Sequence, residues 1–506
     1  MKIQISRWCE LIFVVIFLFA AFFRLDAVPP LWWDEGWTLS VARNWLERGH
    51  YGRLLGGQLV SPGLEAWPTV TASVYLSFRA FGIGVVQGRM VGVVFTLATV
   101  TLLYYLALHL YNRAIALGTL LVITLMPAYV GLFPIYLGRQ VLGEMPALFF
   151  LLSGYVCFLF ANRYSVLALT GAIIFWALGL GTKLQAVPFW ACSMLLPMAV
   201  LVFRRDWKSS TFYSAALVGS FSAAYLLSVM WEALLRSKTG LSAPITGLYE
   251  VTAAVGSVPS RMFALIVTVL FGMPTLFGLS YNSWRLLNDK GPFREHADTV
   301  RFSLLVLAGS WFAWFMFFSV GWIRYVFPAT FIGSIFVAAM IYDLTRGYDG
   351  AYTIQQSLAF FRGFNKETVG VLLVLVIVVT SVPRTAMALY KTYILDADTS
   401  VQQAAHFLNS QTRAGALVET YDSELFFLLN RPYHYPPDQI HVDLIRRTFL
   451  YDDNTIIHYD PLAANPDYLV VGPHSKQWRL YEPVLSSGAF RLLRSYARYQ
   501  IYERVR

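Results

Sequence analysis

Long apolar runs are the feature that most limits what this chain can fold into. About eleven of them approach the twenty residues needed to cross a bilayer core. Backbone polar groups in lipid must be satisfied within the segment, so each run predicts a helix. The pattern predicts an all-α polytopic membrane domain with spans near 9–25, 88–111, 114–134, 142–161, 164–181, 184–203, 211–235, 260–280, 301–319, 325–345 and 368–390.

Composition supports the membrane class and excludes others. The chain has 506 residues, of which 57% are hydrophobic and 13% charged, and its mean hydropathy is +0.55. That balance is too apolar for an ordinary soluble protein. The net charge is +10, but the basic residues are scattered among apolar runs, so we expect membrane lipids and no nucleic acid as partners. The three cysteines lie in apolar runs and imply no disulfide framework.

Charges at the ends of the runs predict an orientation. With Lys2 and Arg7 in the cytoplasm, an odd number of spans places the loop after the first span and the tail outside. The basic clusters at 204–208 and 285–301 then lie inside. Several arginines between residues 43 and 79 oppose this orientation. The first span is interpreted as an uncleaved anchor because the small-residue pattern of a signal peptidase site is weak.

Three regions do not span. The first outer loop, 26–87, contains a stretch at 38–48 with the spacing of an amphipathic helix on the membrane interface, broken by glycines at 49–57. The segment 281–300 is interpreted as a polar connector.

The tail, 395–506, is less apolar and alternates a helical pattern at 401–408 with strand patterns at 416–420 and 468–471. We therefore divide the chain into a transmembrane domain, 1–394, and a small extracytoplasmic α/β domain, 395–506. A passive folded domain is preferred over a cap on an active site or an acceptor-binding domain.

An acidic pair, Asp34-Glu35, stands among tryptophans directly after the first span. A carboxylate at the membrane interface is costly to ionise without a cationic partner, so such residues usually serve a function. The tryptophans alone are also typical of an interfacial belt. Glu144, Arg139, Lys183 and Arg324 occupy similar positions at the ends of later spans, where a snorkelling cation or a helix-start carboxylate is the alternative.

Four segments, in order, resemble integral-membrane glycosyltransferases of the GT-C fold. They are 33–36 with Ser61-Pro62-Gly63-Leu64, then 138–146, 181–188 and 321–328. They are most similar to the protein mannosyltransferase and lipid A aminoarabinose transferase branch, of glycosyltransferase family 39 or 83 type. The resemblance implies transfer of a sugar, with inversion, from a polyprenyl-phosphate donor to a protein, lipid or glycan hydroxyl on the outer face. A tail of α/β type also fits bacterial relatives.

The same resemblance implies roles for individual residues. Asp34 matches the catalytic base, while Glu35 positions the loop or shapes the pocket. Glu144 either binds acceptor or pairs with Arg139. The predicted catalytic residues are Asp34, Glu35 and Glu144, and the predicted donor-phosphate ligands are Arg139, Lys183, Arg324 and Tyr325.

The acceptor side is predicted from weaker signals. His50 and Tyr51, after the amphipathic stretch, are expected to line it. Ser61 stands where relatives carry a His or Lys, and Gly63 replaces a proline, so a ligand contact at that position is not expected. The chain lacks His and carboxylate clusters at metal-ligand spacing, and we expect neither a metal nor a cofactor.

Two other functions fit a polytopic chain. A transporter or flippase of a lipid-linked sugar also needs interfacial charges, but it is expected to show inverted repeats and broken spans that this sequence lacks. A membrane anchor for the tail explains the tail without needing charged residues at the ends of separate spans. The sequence favours the glycosyltransferase.

Overall fold

A computed structural model describes residues 7–64, 67–236, 245–253, 257–288, 295–363, 365–395 and 398–505. Lys2, which contributes to the predicted orientation, and residues 289–294 of the predicted connector lie outside this part. The predicted domain boundary at 394/395 adjoins residues 396–397, which also lie outside it.

Helices dominate the chain up to residue 395. They are α1 Arg7–Phe22, α2 Trp33–Arg48, α3 Pro68–Phe81, α4 Val85–Leu110, α5 Arg113–Leu125, α6 Pro134–Arg139, α7 Glu144–Thr182, α8 Val187–Phe203, α9 Trp207–Trp231, α10 Leu248–Thr252, α11 Val258–Val267, α12 Met273–Asn288, α13 His296–Phe318, α14 Phe327–Leu344, α15 Gly350–Ala359 and α16 Lys366–Tyr390. A π-helical turn at Thr268–Gly272 joins α11 to α12. The predicted all-α membrane domain is confirmed.

Eight described helical segments are long and apolar enough to cross a membrane, and three shorter apolar helices accompany them. The shorter ones are Glu10–Phe22, Arg113–Leu125 and Val166–Thr182. Together these segments coincide with the predicted apolar runs. The lengths of the apolar runs were enough to predict the spans, because an apolar stretch long enough to cross the bilayer has few stable conformations in lipid other than a helix.

The helical segment α7 makes two antiparallel spans. Trp176 Nε1 donates to the Leu151 carbonyl at 3.1 Å, although a straight helix would separate these residues by about 38 Å. A Cβ added to Gly154 would lie 2.4 Å from the Trp176 ring, so the two halves approach closely. This hairpin brings the two ends of α7 to the same side of the bundle.

Small residues let the central span pack tightly. The apolar stretch of α14 is 78% buried inside the protein, a larger share than in any other described span. A Cβ on Gly278 of α12 would lie 2.7 Å from the Val337 nitrogen of α14, and Gly333 of α14 faces Thr275 equally closely. Such small-residue contacts bring helix backbones together where no hydrophobic effect operates between spans.

The first outer loop is packed, and its helix differs from the prediction. The helix α2 begins at Trp33, five residues earlier than expected, and most of its residues are buried inside the protein, whereas an amphipathic helix was predicted from residue 38. Its first turn closes when the Trp32 N–H donates to Glu35 Oε2 at 3.2 Å. It ends at Gly49, whose φ of 71° places this residue in the left-handed region. A hairpin of β1 Arg53–Leu55 and β2 Gln58–Val60 follows.

The tail forms an α/β unit with a five-stranded sheet, as predicted in class. Its elements are α17 Ser400–Gln411, β3 Val418–Thr420, α18 Glu424–Leu428, β4 Tyr433–His434, α19 Asp438–Phe449, β5 Tyr468–Val471, α20 Pro473–Gln477, α21 Glu482–Ser486, β6 Phe490–Ser495 and β7 Gln500–Arg504. The strand order is β4-β3-β5-β7-β6. The strands β4, β3 and β5 are parallel to one another, and β7 is antiparallel to both of its neighbours, β5 and β6.

The tail is docked onto the first outer loop at several points. Gly36 of α2 packs so closely on α18 that an added Cβ would lie 2.2 Å from the Glu424 Cα. Ser423 Oγ donates to the Trp33 carbonyl at 2.6 Å. Arg53 of the hairpin pairs with Asp438 at 2.9 Å. These contacts hold the start of α2 between the membrane helices and the tail.

Candidate functional site

A cavity of about 1920 Å³ lies where the spans, the first outer loop and the tail meet. Its charged and ionisable lining comes from loops and helix ends and includes Asp34, Glu144, Lys183, Arg324, His441 and His474. Its apolar lining comes from α7, α8, α9, α11 and α13 and includes Leu180, Val187, Phe189, Phe221, Ala224, Phe263, Trp314 and Phe318. A cavity of this kind suits an amphiphile with an ionic head and a long apolar chain.

Two ion pairs form the charged part of the cavity. Arg324 pairs with Asp34, and their side chains keep 21% and 12% of their surface exposed. Lys183 pairs with Glu144, with 16% and 3% exposed. The ring of Tyr325 lies 5.7 Å from both the Lys183 Nζ and the Arg324 Cζ, so it connects the two cations. Four of the predicted site residues and the tyrosine therefore meet in one place.

The helix ends explain how these charges come together. Asp34 lies in the first turn of α2, and Glu144 is the first residue of α7. Carboxylates at helix N-termini are stabilised by the helix dipole. Lys183 follows the last residue of α7, and the hairpin of that helix returns it to Glu144. Arg324 lies in a short 3-10 turn before α14.

Glu35, unlike Asp34, does not line the cavity. It forms a two-point ion pair with Arg89 of α4, at 2.7 and 2.9 Å, and both side chains are fully buried. Arg89 also donates to the Leu25 carbonyl at 2.9 Å. This geometry fits the loop-positioning role and offers no contact for the predicted catalytic one.

Arg139 is also outside the cavity, which does not fit its predicted role as a phosphate ligand. Its side chain is fully buried and donates to backbone carbonyls at the end of α1 and just after it, including Val28 at 2.8 Å and Phe23 at 2.5 Å. Arginine is the side chain best suited to several carbonyl acceptors at once. The residue therefore ties the end of α1 to α6, and Glu144 pairs with Lys183 instead of Arg139.

Of the two residues predicted to line the acceptor side, only one lines the cavity. Tyr51 lines the cavity, is buried against Trp45, and its hydroxyl lies 3.4 Å from the Thr71 hydroxyl. His50 does not line the cavity, and its Nδ1 has no hydrogen-bond partner among the described residues. Of the two positions that differ from the residues of relatives, Gly63 lines the cavity and Ser61 does not.

The tail contributes side chains that the sequence did not single out. Tyr421, His441 and His474 line the cavity, and the Trp33 ring contacts all three. The tail is thus part of the site, which does not support its interpretation as a passive domain. His441 and His474 were not predicted, because isolated histidines carry no sequence signal of proximity.

Among the described residues, no three His, Cys, Asp or Glu side chains are grouped so that they could hold a metal ion. Among the described residues, the lysine and arginine side chains that line the cavity are those of the two ion pairs. Metal independence stays a prediction.

Comparison with solved structures identifies the fold. ArnT from Cupriavidus metallidurans, an aminoarabinose transferase bound to undecaprenyl phosphate, superposes with a TM-score of 0.61 at 15% identity over 99% of each chain. The Archaeoglobus fulgidus oligosaccharyltransferase in its apo form matches with a TM-score of 0.55 at 12% identity, over 95% of this chain and 71% of that one.

A second structure of the archaeal enzyme, AglB with an inhibitory peptide and a dolichol-phosphate, gives a TM-score of 0.54 at 11% identity, covering 94% of this chain and 70% of that one. No protein-family model matches the chain, and no curated protein sequence matches it either. The matched structures are GT-C glycosyltransferases. The chain therefore has the GT-C fold, as its motifs predicted.

Proposed function

We propose that this chain is an inverting glycosyltransferase. It transfers a sugar from a polyprenyl-phosphate donor to an acceptor hydroxyl on the outer face of the membrane. The observation that carries the proposal is the cavity, whose lining joins two ion pairs to an apolar surface drawn from several spans. The lipid phosphates bound by the similar structures, undecaprenyl phosphate in ArnT and dolichol-phosphate in AglB, support the donor class.

The donor fits the cavity in two parts. Its polyprenyl chain lies along the apolar lining, and its phosphate binds Lys183 and Arg324 in place of Glu144 and Asp34. Arginine offers a planar two-point contact and lysine a compact positive charge, so together they suit a phosphate whose negative charge grows in the transition state. The Tyr325 ring, close to both cations, keeps them on one side of the site.

Donor binding prepares Asp34 for its role as base. When Arg324 turns to the phosphate, Asp34 is released from its ion pair and can accept a hydrogen bond from the acceptor hydroxyl. The hydroxyl oxygen attacks the anomeric carbon while the bond from that carbon to the phosphate oxygen breaks. The bonding electrons leave with the phosphate, and the proton passes to Asp34. Attack from the side opposite the phosphate inverts the anomeric carbon.

The remaining predicted residues act indirectly in this scheme. Glu144 holds Lys183 at the cavity before donor arrives. Glu35, through Arg89, fixes the turn that carries Asp34. A phosphate leaving group needs no general acid, and two basic side chains supply the charge for a monophosphate. We therefore expect transfer to continue after chelation of divalent metals.

The test uses the full-length protein in nanodiscs with a panel of radiolabelled polyprenyl-phosphate hexoses, pentoses and aminopentoses, and crude membranes as acceptor. We expect wild type to transfer label from one donor and Asp34→Asn to bind that donor without transferring. Chelator should leave the wild-type rate unchanged. Equal carrier binding without transfer in both proteins would instead support a transporter, and absence of carrier binding would reject the donor assignment.

A further inference from the structure

Four rings from two distant parts of the chain form one face of the cavity beside Asp34. The Trp33 ring stacks on His441 at 5.5 Å and 14°, and lies 4.3 Å from the Tyr421 ring and 4.9 Å from the His474 ring. All four residues line the cavity. We call Trp33, Tyr421, His441 and His474 the aromatic wall.

The aromatic wall is electrically neutral near pH 7. Burial lowers the pKa of His441 to about 4 and also lowers that of His474. Burial raises the pKa of the Tyr421 phenol well above its usual value of 10. The wall therefore differs from the cations at Lys183 and Arg324, and it has no charge with which to attract a phosphate.

The wall also has unused hydrogen-bonding groups. The buried Trp33 Nε1 has no partner among the described residues, although Trp33 lines the cavity. His441 shares its Nδ1 with the Tyr421 hydroxyl at 2.6 Å, and no hydrogen bond joins its Nε2 to a described residue. Buried polar groups are normally satisfied, so an unpartnered indole N–H at a cavity indicates a ligand or water acceptor.

We propose that the aromatic wall is the acceptor subsite and that the acceptor is a carbohydrate, either a glycan or the sugar head of a glycolipid. This inference rests on the proposed function. A sugar ring has apolar C–H faces that pack on aromatic rings, and a rim of neutral hydroxyls that accept from an indole N–H and exchange hydrogen bonds with imidazole.

Other parts of the cavity suit the other ligand groups. The apolar lining among the spans accepts a hydrocarbon chain, and the two cations accept the phosphate. Asp34 follows Trp33 in the first turn of α2, and both line the cavity. A hydroxyl of a sugar packed on the wall is thereby held next to the proposed base.

The tail consequently selects the acceptor. Three of the four wall residues belong to it, and Trp33 is fixed to it by the hydrogen bond from Ser423. Neither the loop nor the tail alone presents the complete surface. The tail is thus a specificity element of the membrane domain.

The experiment measures saccharide binding without requiring turnover. Full-length protein in nanodiscs is titrated with methyl glycosides of hexoses and N-acetylhexosamines, a serine-containing peptide and a fatty alcohol, followed by saturation-transfer NMR. Undecaprenyl phosphate binding is measured in parallel. The variants are Trp33→Phe, which keeps a ring and removes the N–H, and His474→Phe. The matched controls are Trp207→Phe and His406→Phe, both exposed and away from the cavity.

We expect a methyl glycoside to bind wild type and both controls. Trp33→Phe and His474→Phe should each weaken that binding about tenfold, the size of one lost hydrogen bond to a buried donor. Undecaprenyl phosphate should bind all five proteins alike.

Undecaprenyl phosphate binding without any saccharide binding would overturn the inference and leave the proposed function standing. So would saccharide binding that neither wall variant weakens, or preferred binding of the peptide or the alcohol. If wild type binds neither a saccharide nor undecaprenyl phosphate, the inference and the proposed function are both overturned.

Discussion

Asp34 and Glu35 are consecutive acids in one helical turn, and the structure gives them opposite environments. Asp34 pairs with Arg324 at the cavity, where both side chains remain partly exposed. Glu35 pairs with Arg89 between α2 and α4, where the exposed fractions are 0% and 1%. The first pair can exchange a partner for a ligand. The second cannot, because no ligand reaches it.

This difference in environment separates a pair that can take part in catalysis from a pair that stabilises the fold. Taking two charges out of water costs several kcal/mol per ion, which only a well-formed partner offsets. The buried pair therefore fixes the position of α2, and any change to one member leaves an uncompensated charge. Separating an ion pair that borders a cavity costs less free energy, because water or a ligand phosphate replaces the lost partner.

The cations repeat this contrast. Lys183 and Arg139 both lie near the ends of apolar segments, yet Lys183 lines the cavity and Arg139 is buried against backbone carbonyls. Basic side chains in similar sequence positions thus serve a ligand in one case and the chain itself in the other.

The largest expected change in stability comes from Glu35→Gln. It should destabilise the protein by about 3 kcal/mol, because Arg89 keeps its buried charge and loses the balancing one. Thermal unfolding in detergent measures the effect as a fall in Tm. The control is Glu47→Gln in the exposed pair with Arg43, where we expect less than about 1 kcal/mol. Equal Tm values for the two variants would show that burial does not distinguish the pairs.

The next effect concerns the contact between α2 and the tail. Gly36→Ala places a methyl group against the Glu424 backbone, which cannot move aside as a flexible side chain would. Overpacking of this kind costs about 1–3 kcal/mol. We expect faster cleavage of the tail in limited proteolysis. Gly350→Ala, where an added Cβ meets no atom within 4 Å, is the matched control. Unchanged proteolysis of Gly36→Ala would contradict the docking described here.

Removal of a cavity cation should weaken carrier binding. We expect Lys183→Met and Arg324→Met each to raise the Kd for undecaprenyl phosphate about 10- to 100-fold, since a hydrogen bond to a charged group contributes about 1.5–3 kcal/mol. Lys208→Met, at an exposed lysine away from the cavity, is the control. If the folded fraction of Arg139→Met loses carrier affinity as strongly, the contrast between Arg139 and Lys183 fails.

The smallest expected effect is a pH dependence of stability. Burial, reinforced by the Asp422 charge, raises the pKa of Glu424 to about 8 from 4.5. The folded state therefore retains a proton that the unfolded state has released. The stabilisation is present below pH 4.5 and is lost as the pH rises towards 8.

Glu424→Gln tests this dependence. The variant should have a Tm that falls less than the wild-type Tm between pH 5 and pH 8. Glu482→Gln, in an exposed pair of the tail, is the control. Parallel Tm profiles for wild type and Glu424→Gln would show that this carboxyl does not carry the proton.

The sequence predicted the membrane part well because each span carries its own signal. An apolar stretch of about twenty residues predicts a helix without reference to its neighbours. The start of α2 lacked such a signal, because Trp32 occupies the position where Ser, Thr, Asp or Asn usually caps a helix. Asp34 was therefore placed in a loop although it belongs to the first helical turn.

The site was only partly predictable for a different reason. Asp34, Glu144, Lys183 and Arg324 could be proposed from their positions at span ends, but Arg139 met the same criterion and lies elsewhere. Which cation reaches the cavity depends on the carbonyls at the end of α1, a tertiary contact. His441 and His474 meet Trp33 only because the tail folds back onto the first outer loop, which no local pattern records.

The most direct test compares the two consecutive acids for catalysis. The sugar-transfer rate per folded molecule is measured for wild type, Asp34→Asn and Glu35→Gln with the donor that wild type uses in the radiolabelled panel. If Asp34 is the base, Asp34→Asn should lose about 10²- to 10⁴-fold in rate with little change in Tm. Glu35→Gln should lose far less rate per folded molecule, despite its lower Tm. Full activity in Asp34→Asn, or an equal loss in both variants, would contradict the assignment of chemistry to one acid and architecture to the other.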